Sequence, residues 1–233
     1  MLTRFFTIPV AALAVAALTG PIQAQQEMSN AVEDGGVFVD GWMGKIDASE
    51  SEAGQTLDNA RFSEEDGVLH VATGPAVVYW SPANTASGDY TVSATFNEPE
   101  YMNRNNHPHP YGIVVGGSGL DGDQLHYLYC AAYGNGNFIV RGFGPEPFQL
   151  NGRGAANEAV NVAAGPGEPV SQEIAVSVAG DTVECSINGT VVGSYPKSEI
   201  VTDGRLMSTD GLYGVRFGHN TEGTVSDLTL TSQ

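Results

Sequence analysis

Residues 174–195 read IAVSVAGDTVECSINGTVVGSY, and this stretch decides the fold. Ile174, Val176 and Val178 alternate with Ala175 and Ser177, a turn stands at Gly180-Asp181, and Val183, Cys185 and Ile187 alternate with Thr182, Glu184 and Ser186. A repeat of two residues is the signature of a half-buried strand; a helix repeats every 3.6. Asn188-Gly189 follows, the dipeptide best suited to the two positive-φ positions of a type I′ turn, and Thr190 to Tyr195 runs back as the partner strand.

The same reading extends outward. Tyr90, Val92, Ala94 and Phe96 alternate with Thr91, Ser93 and Thr95, which predicts a strand over 89–97. Further strands are expected at 37–39, 69–71, 76–80, 111–115, 125–133, 138–143, 212–219 and 225–230, with one helical turn at 197–200. The acidic stretch 48–66 and the Ala-, Gly- and Pro-rich stretch 154–169 show no sustained period and read as an excursion and a surface loop. Many short strands around one core make an all-β, antiparallel β-sandwich or jelly roll.

The chain opens as a secretory signal does, with Arg4, an apolar run from Phe5 to Leu18, and Ile22 and Ala24 at the −3 and −1 positions. Cleavage after Ala24 gives a signal peptide over 1–24, a mobile leader over 25–35 and a sandwich domain over 36–233. The apolar run is shorter than the roughly 20 residues a spanning helix needs, so the mature protein is expected to be exported, periplasmic or secreted, without membrane insertion. Losing Arg4 from the 9 basic residues leaves 8 against 27 acidic ones, a formal charge of 8 − 27 = −19. That field argues against nucleic acid as a partner and is compatible with neutral ligands and cations. Cys130 and Cys185 are the two cysteines, both within expected strands; they pair if their strands are neighbours or face each other across the core, and otherwise serve as small apolar residues.

Residues 98–111 read EPEYMNRNNHPHPY, unlike any structural strand. Asn and Arg can form paired hydrogen bonds with vicinal sugar hydroxyls, and Tyr can stack on pyranose C–H faces, so Tyr101, Asn103, Arg104, Asn106, His107, His109 and Tyr111 are candidate ligand-binding residues. The plain alternative is a solvated loop whose polar groups cap turns. His107 and His109, one residue apart, can converge on zinc, but the local sequence holds no third ligand, so no metal site is expected. Asp121-Gly122-Asp123 offers oxygens to calcium without the spacing of an EF-hand and reads as a turn; no cofactor is expected, calcium there being the weak alternative. Tyr127, Tyr129 and Tyr133 share one strand face, as core or as a stacking platform, and Trp80 and Phe148 are further aromatic candidates.

Glycoside hydrolysis usually needs two carboxylates on either side of the scissile bond. Glu98 and Glu100 are spaced by two, but Pro99 between them suggests a strand end. Neither a G-x-S-x-G element nor a nucleotide-binding glycine pattern is present.

YGIVVGG at 111–117, INGTVV at 187–192, GLYGVRFGHN at 211–220 and VSDLTL at 225–230 resemble the order of motifs in the 3-keto-disaccharide hydrolase domain, of the concanavalin A-like lectin/glucanase superfamily of jelly rolls. The likeness spans about residues 36–231. Where that family carries Asn-Ser-Gly-Ile and a following Arg, this chain has Pro110-Tyr111-Gly112-Ile113 and no Arg over 114–117. The resemblance implies a concave sheet facing a glycan or modified sugar, with Tyr111, His126 and Arg141 as lining.

Three functions follow as alternatives. An exported saccharide-binding sandwich leads, because it asks only for features visible in the sequence. A glycoside or keto-sugar hydrolase would use Glu98, Glu100, His107 or His109 as general acid or base. A structural or interaction domain of the cell envelope is the third, and the sequence names no protein partner for it.

Overall fold

A computed structural model describes residues 28–232, so the expected signal peptide over 1–24 and the first residues of the expected leader lie outside the described residues. Fifteen strands follow in chain order: β1 (Gly36–Val37), β2 (Met43–Ile46), β3 (Ala60–Glu65), β4 (Val68–Thr73), β5 (Val77–Ala86), β6 (Tyr90–Glu98), β7 (Tyr111–Ser118), β8 (His126–Ala132), β9 (Phe138–Phe143), β10 (Phe148–Gln149), β11 (Val170–Ala179), β12 (Thr182–Ile187), β13 (Thr190–Pro196), β14 (Gly211–Phe217) and β15 (Glu222–Ser232). Two short helices, α1 (Ala48–Glu52) and α2 (Lys197–Ile200), complete the regular structure with a 3-10 turn at Leu57–Asn59.

The strands form two sheets. Sheet A runs β1-β3-β4-β15-β6-β11-β12-β13 and sheet B runs β10-β9-β8-β7-β14-β5-β2. Every pairing is antiparallel except that of β1 with β3. The antiparallel sandwich read from the alternation is therefore the observed architecture.

The deciding stretch folds as it reads. Ala179 pairs with Thr182 around Gly180-Asp181, and Ile187 with Thr190 around Asn188-Gly189. Asn188 and Gly189 adopt φ of 49° and 77°, the left-handed conformations the two-residue turn demands. Asn188 also ties the turn to β11, since its Oδ1 accepts from the Glu173 N–H at 2.8 Å.

Alternation sends Tyr90, Val92, Ala94 and Phe96 of β6 and Ile174, Val176 and Val178 of β11 inward, to meet Val77 and Tyr79 of β5, Ile113 of β7, Leu128 of β8 and Phe217 of β14 from sheet B. Cys130 of β8 and Cys185 of β12 face each other across this core and form a disulfide with Cα atoms 5.8 Å apart, covalently joining the sheets. On the outer face of sheet A the intervening residues are hydroxylated: Thr91 and Ser177 lie 2.8 Å apart, and Ser93 and Thr229 3.1 Å apart.

Where the sequence predicted a mobile leader over 25–35, its described part is docked. The Asn220 side chain accepts from the Asn30 N–H at 2.6 Å and donates to the Met28 carbonyl at 3.1 Å, and the Val32 N–H donates to Asn59 at 3.0 Å. No helix of the described residues is long and apolar enough to cross a membrane.

Candidate functional site

Sheet B differs from an ordinary sandwich layer in having a second apolar cluster on its outer face. Because side chains alternate, β5 turns Val78 and Trp80 outward, β7 turns Val114, and β8 turns Tyr127, Tyr129 and Ala131; Ile139 of β9 and Leu120 join them, with Tyr133, Phe143, Leu125 and Leu212 packed around. Register builds the pattern: Tyr127 stands opposite Phe143, and Tyr129 opposite Arg141 on one side and Val114 on the other.

A charge sits among these rings. Arg216 of β14 is 5 % exposed, and its guanidinium lies 5.1 Å from the ring centroids of both Tyr129 and Phe143 and 5.9 Å from that of Tyr127. Its row neighbour across β7 is Gly112 and the next is Ala131, residues small enough to leave room for the long side chain. Two parallel bonds to Asp47, at 2.8 and 2.6 Å, hold it, and a third goes from Nη1 to the Tyr127 hydroxyl at 2.8 Å. Burial is the largest single influence and works against the Arg216 charge, but the Asp47 carboxylate and the neighbouring Tyr127 and Tyr129 together outweigh it, so the guanidinium pKa is raised. Burial likewise pushes the Tyr127 hydroxyl well up, so that it stays protonated.

Helix α1 explains how Asp47 arrives there. The Asp47 carbonyl accepts from the Glu50 and Ser51 N–H groups at the start of the helix, while its own N–H is anchored on Ala76. One turn later Glu50, 6 % exposed, points the same way; its Oε1 lies 3.1 Å from Nδ1 of His219, and its Oε2 accepts from Ser29 Oγ at 2.6 Å. The helix thus presents two carboxylates to the end of β14, one to Arg216 and one to His219.

Two clefts open on this face and share Arg141. The larger, about 480 Å³, is lined by Lys45, Asp47, Asp123, Leu125, Tyr127, Arg141 and Phe143, with Pro145 and Pro147 at its edge. The smaller, about 340 Å³, is lined by Pro108, Tyr133, Asn135, Asn137, Ile139, Arg141, Gln149 and Arg153. Arg141 lies over the Phe143 ring at 5.0 Å, and burial raises the Tyr133 hydroxyl to about 12. A recess of about 470 Å³ across β3, β4 and β15 of sheet A has no Phe, Tyr or Trp in its lining, so a sugar would find no stacking surface there.

The residues expected to bind ligand are distributed quite differently from the expectation that one loop gathers them. Tyr111 is 1 % exposed and packs in the inter-sheet core, 5.7 Å from Phe96 and 5.9 Å from Phe217, so it lines no surface. Tyr101 is 6 % exposed in a satellite cluster with Ala163 and Val170, where Gly134 gives its ring room: a Cβ there would stand 2.6 Å from it. His126 turns to the core side of β8, buried, with Nδ1 donating to the Arg205 carbonyl at 2.8 Å. Arg104 spends its donors on backbone, Nε on the Thr73 carbonyl at 3.2 Å and Nη2 on the Asn30 carbonyl at 2.8 Å, which fastens the N-terminal segment. Asn103 donates to Glu222 at 3.1 Å, and Asn106 accepts from His107 at 3.1 Å. Of this set Arg141 alone stands on the aromatic face. Trp80 belongs to the outer cluster, whereas Phe148 packs in the core under the Arg205 guanidinium.

The catalytic candidates do not form a pair. Glu98 ends the inward row of β6, 4 % exposed, its Oε1 accepting from the Met102 N–H at 3.2 Å; burial raises its pKa to about 7. Glu100, two residues on, is exposed to solvent, and neither lines the two clefts. His107 and His109 do come together, with ring centroids 4.7 Å apart, and His219 joins them, 4.0 Å from His109 and steeply inclined to it. The third imidazole missing from the local sequence is therefore supplied by the residue two past the end of β14, which overturns the ground for expecting no metal site. One ligand atom from each of the three lies within 4.8 Å of the others.

Asp47, Arg216 and His219 were not legible as site residues. The one signal was an acidic D-x-x-E pair, Asp47 and Glu50, ahead of a stretch without strand period.

No family model matches this chain, and no curated protein does. Solved structures do, at the level of fold. A carbohydrate-binding module from Bacillus subtilis aligns at 9% identity over 82% of this chain and 96% of its own, with a TM-score of 0.52. An endo-β-1,3-glucanase from Pyrococcus furiosus aligns at 12% identity over 86% and 92%, with a TM-score of 0.53. A Bacillus subtilis protein of unknown function with a galectin-like fold gives 12%, 82%, 89% and 0.56. The chain is thus similar in architecture to galectin-like and concanavalin-like β-sandwiches, three of whose members it matches at low identity.

Proposed function

We propose that this protein binds a saccharide on the outer face of sheet B, across the two clefts that share Arg141. The observation that carries the reading is the aromatic cluster outside the inter-sheet core: Tyr127 as floor of the larger cleft with Tyr129 packed beneath, half-buried Tyr133 and Phe143 as stacking rings, and Arg141 between the clefts as donor. Aromatic faces match the C–H faces of a pyranose, and a guanidinium offers paired donors to neighbouring hydroxyls. The paired Asp47 and Arg216 beneath would keep the rings in place without moving on binding. A carbohydrate-binding module and a glucanase share the architecture, which supports the reading by analogy of fold.

The protein is read as exported, with residues 1–24 removed, and the disulfide supports that, since such bonds persist in oxidising compartments. A mature N-terminus at Gln25, read by mass spectrometry of the secreted or periplasmic fraction, tests it.

The binding test is a glycan array followed by calorimetry on the best ligand. Arg141→Ala is expected to weaken binding by about 10- to 100-fold, the worth of one or two charge-assisted hydrogen bonds. If the array is blank, or if Arg141→Ala and Phe143→Ala both bind as the parent does, the reading is wrong. Turnover of a 3-keto-disaccharide in the same samples would favour a hydrolase, and a stable protein partner captured without any glycan dependence would favour an envelope interaction domain.

A further inference from the structure

We propose that His107, His109 and His219 bind a divalent transition-metal ion of the zinc class, at the rim of the sheet B clefts. The chain has 5 histidines, and three of them bring one ring nitrogen each to within 4.8 Å of the others. They come from two separate segments, the turn-rich loop before β7 and the residue two past β14, so sequence proximity does not account for the meeting. The backbone is shaped to permit it. The Gly218 N–H donates to the Pro110 carbonyl at 2.7 Å, and a Cβ at Gly218 would stand 2.9 Å from the Cβ of His109, so only a residue without a side chain lets His219 follow directly beside His109.

Outer partners aim the lone pairs. Glu50, buried and able only to accept when ionised, faces Nδ1 of His219 at 3.1 Å; Nδ1 then carries the hydrogen and Nε2 the lone pair. Asn106 Oδ1 does the same for His107, at 3.1 Å from Nδ1. A carboxylate or carbonyl behind a ligating imidazole is the usual second layer of a zinc site, where it fixes the tautomer and raises ligand basicity. Three neutral imidazoles and one vacant position are the donor set of an open, tetrahedral zinc site. The nitrogens of such a site lie about 3.3 Å apart at ordinary Zn–N bond lengths, so from a spread of up to 4.8 Å the cluster must tighten by up to about 1.5 Å. His107 is exposed on a loop and can make that movement. The strongly acidic chain raises the local concentration of cations. Pro108, between two of the ligands, lines the smaller cleft, which puts the ion beside the proposed sugar site.

Tag-free protein stripped with a chelator and titrated with zinc by calorimetry, and with cobalt by visible absorption, tests the proposal. The expected result is one ion per chain, with the absorption of a tetrahedral cobalt complex. His107→Ala, His109→Ala and His219→Ala should each weaken binding by about 100-fold or more, while Glu50→Gln should keep the stoichiometry and weaken it by about 10- to 100-fold. His107→Ala changes an exposed loop residue, so its thermal unfolding in the absence of metal should match the parent and separate lost ligation from lost fold. Absence of stoichiometric binding, or binding that His107→Ala and His109→Ala leave unchanged, overturns the site. Neither result bears on whether Arg141 and Phe143 hold a sugar.

Discussion

The outer faces of the two sheets answer water in opposite ways. On sheet A, Thr91, Ser93, Ser177 and Thr229 form hydroxyl pairs, small polar groups that water satisfies as well as they satisfy each other. On sheet B, the corresponding positions hold Trp80, Tyr127, Tyr129 and Phe143 around a buried Arg216. A sandwich needs only its inner faces to be apolar. The second apolar cluster, buried with a charge pair built into it, goes beyond what joining the two sheets requires, and the proposed sugar site is the use we assign to the half-buried rings and Arg141 at its edge.

Removing Asp47 is the largest single perturbation this contrast predicts. Asp47→Ala leaves the Arg216 guanidinium buried among rings without its counter-ion, at a cost of about 3–5 kcal/mol. The double variant Asp47→Ala/Arg216→Met removes both charges and should recover most of the loss in a urea titration. If the double variant is as unstable as the single one, the pair acts through packing alone and the outer face of sheet B is simply a second core.

The disulfide bears on the inner side of the same contrast. Cys130 and Cys185, 55 positions apart in the sequence, tie sheet B to sheet A. Chain entropy alone predicts about 4 kcal/mol for a loop of that length, with measured values commonly about 2–4. Cys130→Ala/Cys185→Ala should lower the unfolding free energy accordingly while sugar binding at Arg141 survives in the folded fraction, because the bond lies on the opposite side of β8 from the tyrosines. Loss of binding in folded protein would show that the two faces of sheet B are not independent.

Glu98 provides the mirror image of Arg216: a charge turned to the inner face, with no cation paired to it among the described residues. Burial raises its carboxyl from 4.5 to about 7. The folded chain therefore holds the proton more tightly than the unfolded chain between those values, and stability falls as pH rises from about 4.5 to about 7, then levels. Glu98→Gln keeps the neutral shape and should flatten that slope, with a gain at pH 8 of up to about 3 kcal/mol. Equal slopes in parent and variant would mean that Glu98 reaches water in the folded state.

How much of this the sequence made legible follows from the range of each interaction. The period-two runs place β6 and β12 to within a residue and the C-terminal end of β11, whose first four residues, Val170 to Glu173, lie ahead of the run that starts at Ile174; 197–200 is the helix α2, since alternation and turn residues act over a few positions. Helix α1 lies within the stretch 48–66 that reads as an irregular acidic excursion, because five residues are too few to show a helical period; β2 is only four residues long, and β3, ARFSEE, buries only Ala60 and Phe62 before it runs into acidic residues, so neither shows a sustained alternation. On β8 both Leu128-Cys130-Ala132 and Tyr127-Tyr129 are apolar, so alternation revealed two faces without telling which one met the other sheet. The loop 98–111 looked like a site by composition, yet Tyr101, Tyr111 and Arg104 are consumed by packing and by fastening the chain. The histidine cluster needed a residue from beyond β14, a distance no local pattern spans.

The smallest expected effect separates the two outer faces most cleanly. Ser93→Ala removes one exposed hydroxyl pair on sheet A, and Arg141→Ala removes a half-buried guanidinium lying over Phe143 on sheet B; each should change stability by no more than about 0.5 kcal/mol, as solvent-facing substitutions do. Their effects on binding should nevertheless diverge, with Ser93→Ala indistinguishable from the parent and Arg141→Ala weakened at least about tenfold by calorimetry, since on the proposed reading the donor that lines both clefts is the one a sugar would meet. Were the two variants to bind alike while both stay folded, the asymmetry between the sheets would be one of packing history alone, and the recess on sheet A would become the surface to probe.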